Sequence, residues 1–390
     1  MKKKIIFVTE ALWIGGIETA LVNLLQSLDY EKYEVTCLIL RNDQTMAPRL
    51  PEQVRLLVAD RHDAVSFREP YRYSRLNHLT EKSTNPSRLH RAMMWAVPVI
   101  KWLENRLYIC YIRKNLKSER FDTCVIYSDR TAEAAVRGIR AEKYLMFYHH
   151  GAMRREYHDE IGYRRCSHIV TVSEFVAEQL RAFRPRHGQK VTAIHNVADV
   201  SGILQKAEQP KTQSFPRDRV NLVSCGRISR EKGMDLAVDA CKILVDRGYH
   251  KLHWWIVGGG PEERQLRQQI DRLGLGDHMT VTGMQKNPHP YIGAADLYVQ
   301  PSRFEGYPMT VLEALILGRV VISTDNGGVG EMVKNGKTGL LCPISAEGIA
   351  DAVQKLLEDP ALLEQLRRNV AALDMEAENQ KHIKQIIGLL

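Results

Sequence analysis

Seven residues separate two glutamates, Glu305 and Glu313, in the stretch Phe304-Glu305-Gly306-Tyr307-Pro308-Met309-Thr310-Val311-Leu312-Glu313. The first lies in a Gly/Pro-containing turn; the second lies inside an apolar run, Val311 to Leu317, whose pattern predicts a helix. Such a loop-to-helix junction presents unpaired backbone N–H groups and a partial positive charge, suited to an anion or a row of hydroxyls. Glu313, further along the helix, is placed to accept hydrogen bonds from a diol such as a ribose. A glutamate pair at one chosen spacing decides little alone, and a second constellation gives it context. Val220 to Cys225 reads as a buried strand, followed by Gly226-Arg227 and then Glu231-Lys232-Gly233 opening a helix. A strand, a glycine turn and a helix start carrying two cations suit a diphosphate.

The elements that must position these residues alternate along the chain. Runs at Ile5–Val8, Tyr33–Leu40, Thr123–Tyr127, Tyr144–Tyr148, His168–Val172 and Val191–Ile194 read as strands, interleaved with helices such as Gly16–Ser27, Thr131–Ile139 and Ser173–Ala182. The second half repeats the pattern with strands at Val220–Cys225, Leu252–Val257, Met279–Gly283, Ala295–Gln300, Val320–Thr324 and Leu340–Cys342. This is the signature of parallel sheets with helical crossovers, and it predicts an α/β chain of two Rossmann-like, doubly wound domains. The boundary falls in Val200–Arg219, which carries little apolar periodicity. Ligands of such folds sit beyond the carboxyl ends of the strands, so two facing domains enclose a cleft. Gly15-Gly16 falls on that side of the first strand. No Gly-x-Gly-x-x-Gly follows a strand there, which speaks against a dinucleotide dehydrogenase; Val257-Gly258-Gly259-Gly260-Pro261-Glu262 comes nearest and runs on into a charged helix.

The bulk properties narrow the class. A chain of 390 residues, 44% hydrophobic, suits two domains of under about 200 residues each. No stretch approaches the roughly 18 apolar residues of a membrane-spanning helix. Met1-Lys2-Lys3-Lys4-Ile5-Ile6-Phe7-Val8 is broken at once by Thr9 and Glu10, so it reads as a first strand and not as a leader. Seven scattered cysteines without a Cys-x-x-Cys pair point to reduced core residues in a cytoplasmic protein. The net charge of +9 is uneven: residues 1–200 carry 32 Lys+Arg against 23 Asp+Glu, and residues 201–390 carry 23 of each. No nucleic-acid module accompanies the excess, which leaves an anionic membrane surface as its better partner.

Together these stretches resemble the retaining glycosyltransferases of the GT-B fold, in particular the family 4 (group 1) type that uses nucleotide-sugar donors. Further matches are Gly15-Gly16-Ile17-Glu18, Val172-Ser173-Glu174, Ile194-His195-Asn196-Val197, Asn326-Gly327-Gly328 with Glu331, and Asn335 to Leu341. The resemblance is nearly continuous in the C-terminal half and absent between about residues 41 and 120. It implies an acceptor-binding domain at 1–199, a nucleotide-sugar-binding domain at 200–370 and a final helix at 371–390 crossing back to the first domain.

By the same resemblance Arg227 and Lys232 take the two phosphates, with help from Gly226 and from the Gly15-Gly16 backbone. Glu313 holds the ribose, and Glu305 lies by the sugar, whose hydroxyl side is lined by Gly306, Tyr307 and Pro308. His149 and His150 end a strand on the cleft side, and the family's sugar-contacting histidine matches His150 before Gly151. No Asp-x-Asp triplet occurs, so no metal ligands and no cofactor are expected. The donor expected from the family is UDP-linked, the acceptor a glycan or a polyprenyl-diphosphate-linked sugar, and the location cytoplasmic, peripheral on the inner face of the membrane. A GT-B epimerase or phosphorylase, a transferase with a soluble acceptor, and a non-catalytic nucleotide-sugar-binding protein stay open beside it. Residues 61–118 combine twelve Arg/Lys with Tyr and Trp around an apolar run, Ala92 to Ile100. Two readings fit them equally: an interfacial helix pair, or an ordinary core helix with snorkelling edges.

Overall fold

Short aliphatic runs, buried on both faces, become parallel strands in two separate sheets. The computed structural model describes residues 1–59, 88–149, 153 and 160–390. In the first sheet the strands are β1 (Lys3–Thr9), β2 (Tyr33–Ile39), β3 (Arg55–Val58), β4 (Phe121–Ile126), β5 (Ala141–Tyr148), β6 (His168–Thr171) and β7 (Val191–Ala193), in the order β3-β2-β1-β4-β5-β6-β7. The second holds β8 (Val220–Cys225), β9 (Leu252–Val257), β10 (Met279–Gly283), β11 (Leu297–Gln300), β12 (Val321–Thr324) and β13 (Gly339–Cys342), in the order β10-β9-β8-β11-β12-β13. Every strand ladder among the described residues is parallel, with one isolated antiparallel bridge between Gly258 and Gly283; β1 aligns Ile5 with Val35 on one side and Thr123 on the other. In each sheet the order reverses beside the first strand, at β1/β4 and at β8/β11, which opens a crevice at the carboxyl ends.

Helices cover both faces. On the first sheet lie α1 (Gly16–Gln26), α2 (Arg88–Asn115), α3 (Ala132–Gly138), α4 (Glu160–Arg165) and α5 (Glu174–Phe183); α6 (Val200–Ala207) links the halves. On the second lie α7 (Met234–Asp246), α8 (Glu263–Arg272), α9 (His289–Gly293), α10 (Met309–Ile316), α11 (Ala346–Glu358) and α12 (Pro360–Ala371). The last helix, α13 (Met375–Leu389), returns to the first sheet, where Ile383, Ile386 and Leu390 join the core of Ile5, Phe7 and Val125. Thr123 Oγ1 donates to the Leu390 carbonyl at 2.8 Å, and Lys143 Nζ to that of Leu389 at 2.6 Å.

Two local features differ from the sequence reading. Val200–Arg219 is not plain linker: Asp199 caps α6 by accepting from Gly202 N at 2.9 Å, and Ile203 is buried among second-domain residues. One buried isoleucine gives too little periodicity to show in sequence. The edge strand β3 was not expected; four residues with Arg55 exposed leave no alternation to read. Residues 88–115 form one continuous helix whose C-terminal turns bury Ile109 and Ile112 in the first core. The remainder of the 61–118 segment, 61–87, lies outside the described residues.

Candidate active site between the two sheets

Glu305 occupies the loop that follows β11, and the surrounding backbone fixes it from two directions. It pairs as an isolated parallel bridge with Gly327, and its side chain is only 7% exposed. Four donor contacts converge on that carboxylate: Lys232 Nζ at 2.7 and 2.8 Å to its two oxygens, Ser302 Oγ at 2.7 Å and Gln300 Nε2 at 3.3 Å. Gln300 is held in turn by Tyr298 OH at 2.7 Å and Thr310 Oγ1 at 3.1 Å, both on its amide oxygen. A buried carboxylate is tolerated only with such a set of partners.

Lys232 reaches this point because the chain after β8 turns through a 3₁₀ segment, Arg230–Lys232, before α7 begins. Gly233 makes that turn with φ +64, and a Cβ there would meet the Pro301 carbonyl oxygen at 2.0 Å, so glycine is required on both counts. The helix therefore starts one turn later than the sequence suggests. Arg227, on the same loop after Gly226, is exposed and has no hydrogen bond or ion pair among the described residues. Ser229 Oγ beside it is buried without a partner there.

Glu313 lies inside α10, 8% exposed, with its Oε1 3.8 Å from Nε2 of His289. That Nε2 is buried and has no hydrogen-bond partner among the described residues, while Nδ1 is held by Asn287 Oδ1 at 2.8 Å. Buried polar atoms are ordinarily paired, so this spacing leaves room for a ligand hydroxyl to complete both groups. Gly306, Tyr307 and Pro308 lead into α10, with Pro308 at its N-cap.

The first sheet supplies the opposite wall. Gly15 caps α1 and Gly16 begins it, facing Met309 at the start of α10. Glu18, 4% exposed, folds its carboxylate back over Gly15. Burial pushes this carboxyl up to about 7 and Glu10 adds to the rise, against its own backbone N–H and the positive charges of Arg227 and Arg130. A Cβ at Gly16 would lie 3.6 Å from Met309 Cγ, so the α1 turn and the start of α10 confront each other across the cleft. His149 lies tilted against Tyr127 (centroids 4.7 Å apart) and stacks on Phe147 (5.9 Å). His150 and Gly151 lie outside the described residues.

The structure thus brings Lys232 to Glu305 directly and places Glu313, Gly226, Arg227, Gly15 and Gly16 around one crevice. Gln300, Ser302 and His289 were not legible as site residues, because only the fold brings them to the carboxylates. Among the described residues no cluster of His, Cys, Asp or Glu is arranged to hold a metal ion.

The sequence profile of the glycosyl transferases group 1 matches residues 205–372, and that of glycosyltransferase family 4 matches residues 14–201. The chain belongs to this glycosyltransferase family. Its fold is GT-B: the Anabaena protein HepE, crystallised with UDP, superposes with a TM-score of 0.71 at 17% identity, covering 99% of this chain and 100% of that one. Curated relatives match less of the chain. An alpha-D-kanosaminyltransferase of Streptomyces kanamyceticus is 34% identical over 159 residues, 40% of this chain and 41% of the relative. A lipopolysaccharide core biosynthesis glycosyltransferase of Rhizobium meliloti is 27% identical over 213 residues, 54% and 60% respectively. The chain thus spans about half the length of the curated relatives it matches.

Proposed function

We propose that this family member is a retaining glycosyltransferase that moves a hexose or N-acetylhexosamine from a UDP-linked donor to a lipid-linked or membrane-associated acceptor in cell-surface polysaccharide synthesis. The observation that carries the reading is the Lys232–Glu305 pair at the strand ends, with Arg227 on the same loop as Lys232 and the Gly15-Gly16 turn across from Met309. Arg227 and Lys232 receive the diphosphate; Lys232 exchanges Glu305 for a phosphate oxygen as the donor enters. Ser302 and Gln300 keep Glu305 in place beside the sugar, and Glu313 with His289 holds the ribose hydroxyls. The bond from the anomeric carbon to the diphosphate oxygen breaks, and the acceptor oxygen bonds on the same face. The acceptor proton leaves with the diphosphate. Fixed cations stabilise the charge that grows on the leaving group, with no protein nucleophile.

The name of the Rhizobium relative supports a cell-surface glycan, and HepE supports a UDP donor. A second reading is a soluble acceptor with the same donor chemistry. A thermal-shift screen of nucleotide-sugars tests the donor: a ligand at 100 times its dissociation constant adds about 2.7 kcal/mol of stability. Transfer assays with lipid-linked and water-soluble acceptors then separate the two readings. Absence of any shift overturns both. Because side-chain cations neutralise the diphosphate, turnover should persist in EDTA; a complete loss restored by magnesium or manganese contradicts the scheme.

A further inference from the structure

Glu331 belongs to the second domain, in the 3₁₀ segment Gly328–Glu331, yet its carboxylate is ligated by the first. It accepts from the backbone N–H of Glu174 at 3.0 Å and of Phe175 at 2.8 Å, the opening turn of α5, and lies 2.8 Å from His195 Nε2. Burial works against this carboxylate, but the His195 hydrogen bond and the two amides outweigh it and hold its pKa below the usual range. A charged acceptor on a helix N-terminus with a histidine partner is a strong, directional contact.

The contact adjoins the Glu305 loop on both sides. Gly327, four residues before Glu331, is the backbone partner of Glu305, and the ring of Phe175 lies so close that a Cβ at Gly327 would meet it at 2.2 Å. Asn326 Nδ2 donates to the Ser302 carbonyl at 3.2 Å. His195, for its part, stacks on Tyr307 with centroids 4.5 Å apart and planes at 23°. Tyr307 packs against cores of both domains. The segments 302–307 and 326–331 therefore form one unit, clamped to the first domain at Glu331, Phe175 and His195.

We propose that Glu331 and His195 are positioning residues for transfer: their pair holds the two domains in the single register in which the Glu305–Tyr307 loop closes on the donor. The inference rests on the glycosyltransferase reading for its kinetic part only. Neither residue touches the diphosphate cations, so nucleotide affinity and domain register become separable.

The test uses the full chain as Glu331→Gln, His195→Gln and the double variant, with spin labels at exposed positions 142 and 355 in a Cys110→Ser background. The expected result is a broadened inter-label distance distribution in all three variants, a kcat at least tenfold lower, and a UDP dissociation constant within threefold of wild type. The double variant should lose no more than the worse single one, since one pair is removed in each case. Unchanged distances, an unchanged kcat, or fully additive losses overturn the proposal, as does a UDP affinity that falls in step with kcat. If the wild type transfers from no donor, the glycosyltransferase reading fails, and the distance measurement alone still decides whether the pair sets the register.

Discussion

At the scale of single residues, the Lys232–Glu305 pair joins two roles that the sequence suggests separately. Arg227 is exposed and unpaired among the described residues, so Arg227→Ala should lower kcat/KM by about 10²-fold or more while leaving stability within about 0.5 kcal/mol. Lys232→Ala differs, because it strands the 7% exposed Glu305 carboxylate. Its cost should be about 1–3 kcal/mol, below the ~3–5 of a fully buried pair, since the Lys232 side chain is itself 24% exposed. Adding Glu305→Gln should restore the stability and not the activity, as read by urea unfolding beside steady-state kinetics. Glu18 predicts a pH dependence. Its folded value of about 7 lies above the usual 4.5, so between these values the folded chain keeps a proton that the unfolded chain has lost. Stability then declines as pH climbs from about 4.5 to 7 and is level beyond. Glu18→Gln removes that decline, on the order of 3 kcal/mol, and unfolding of the two proteins at pH 5 and pH 8 should show the variant gaining on the wild type. Parallel pH profiles would refute it. The glutamate spacing and the two cations were visible because each sits in a local turn-to-helix signal; Gln300 and His289 have no such signal, and only sheet order brings them near.

Elements carry the next lesson. Strands buried on both faces announce themselves as continuous apolar runs, which is why β1, β8 and β9 were placed within a residue or two. Short or edge elements such as β3 and α6 owe their form to neighbours and stay hidden. Helix α2 partly answers the two readings of its segment. Ile109 and Ile112 are core residues, as in an ordinary packed helix, yet Trp102, Leu103 and Leu107 are 52%, 49% and 60% exposed, with Arg106 stacked over Trp102. Exposed apolar side chains interleaved with Arg106, Lys114 and Lys117 fit an anionic lipid surface. Arg113 is a poor probe of that surface, because it donates to the Arg137 carbonyl and so helps seat α2 on α3. Charge reversal at Arg106, Lys114 and Lys117 should release the protein from anionic vesicles at low salt without changing UDP affinity. A wild type that ignores such vesicles, or binds them equally at high salt, makes these residues a solvated face.

For the whole molecule, the decisive feature is that the chain passes between the domains twice, once near α6 and again into α13. Ile386 follows the entire second domain yet is 3% exposed in the first domain's core. Ile386→Ala should therefore cost about 2–4 kcal/mol and lower the unfolding midpoint of the first domain, followed by the fluorescence of a probe there; an effect confined to the second domain would contradict the packing. Two sheets were legible from alternation alone, whereas their mutual register was not, because Glu331, Phe175 and His195 lie more than 130 residues apart in sequence on one side of the contact from the other. The returning helix also sets a clock on biosynthesis. Thr123 waits 267 residues for its partner at Leu390, which at about 5–20 residues per second is a delay on the order of 10–50 s. Through that interval the sheet that began first leaves the ribosome with one face covered only in part, by α1, and it reaches its final form only after the domain made second.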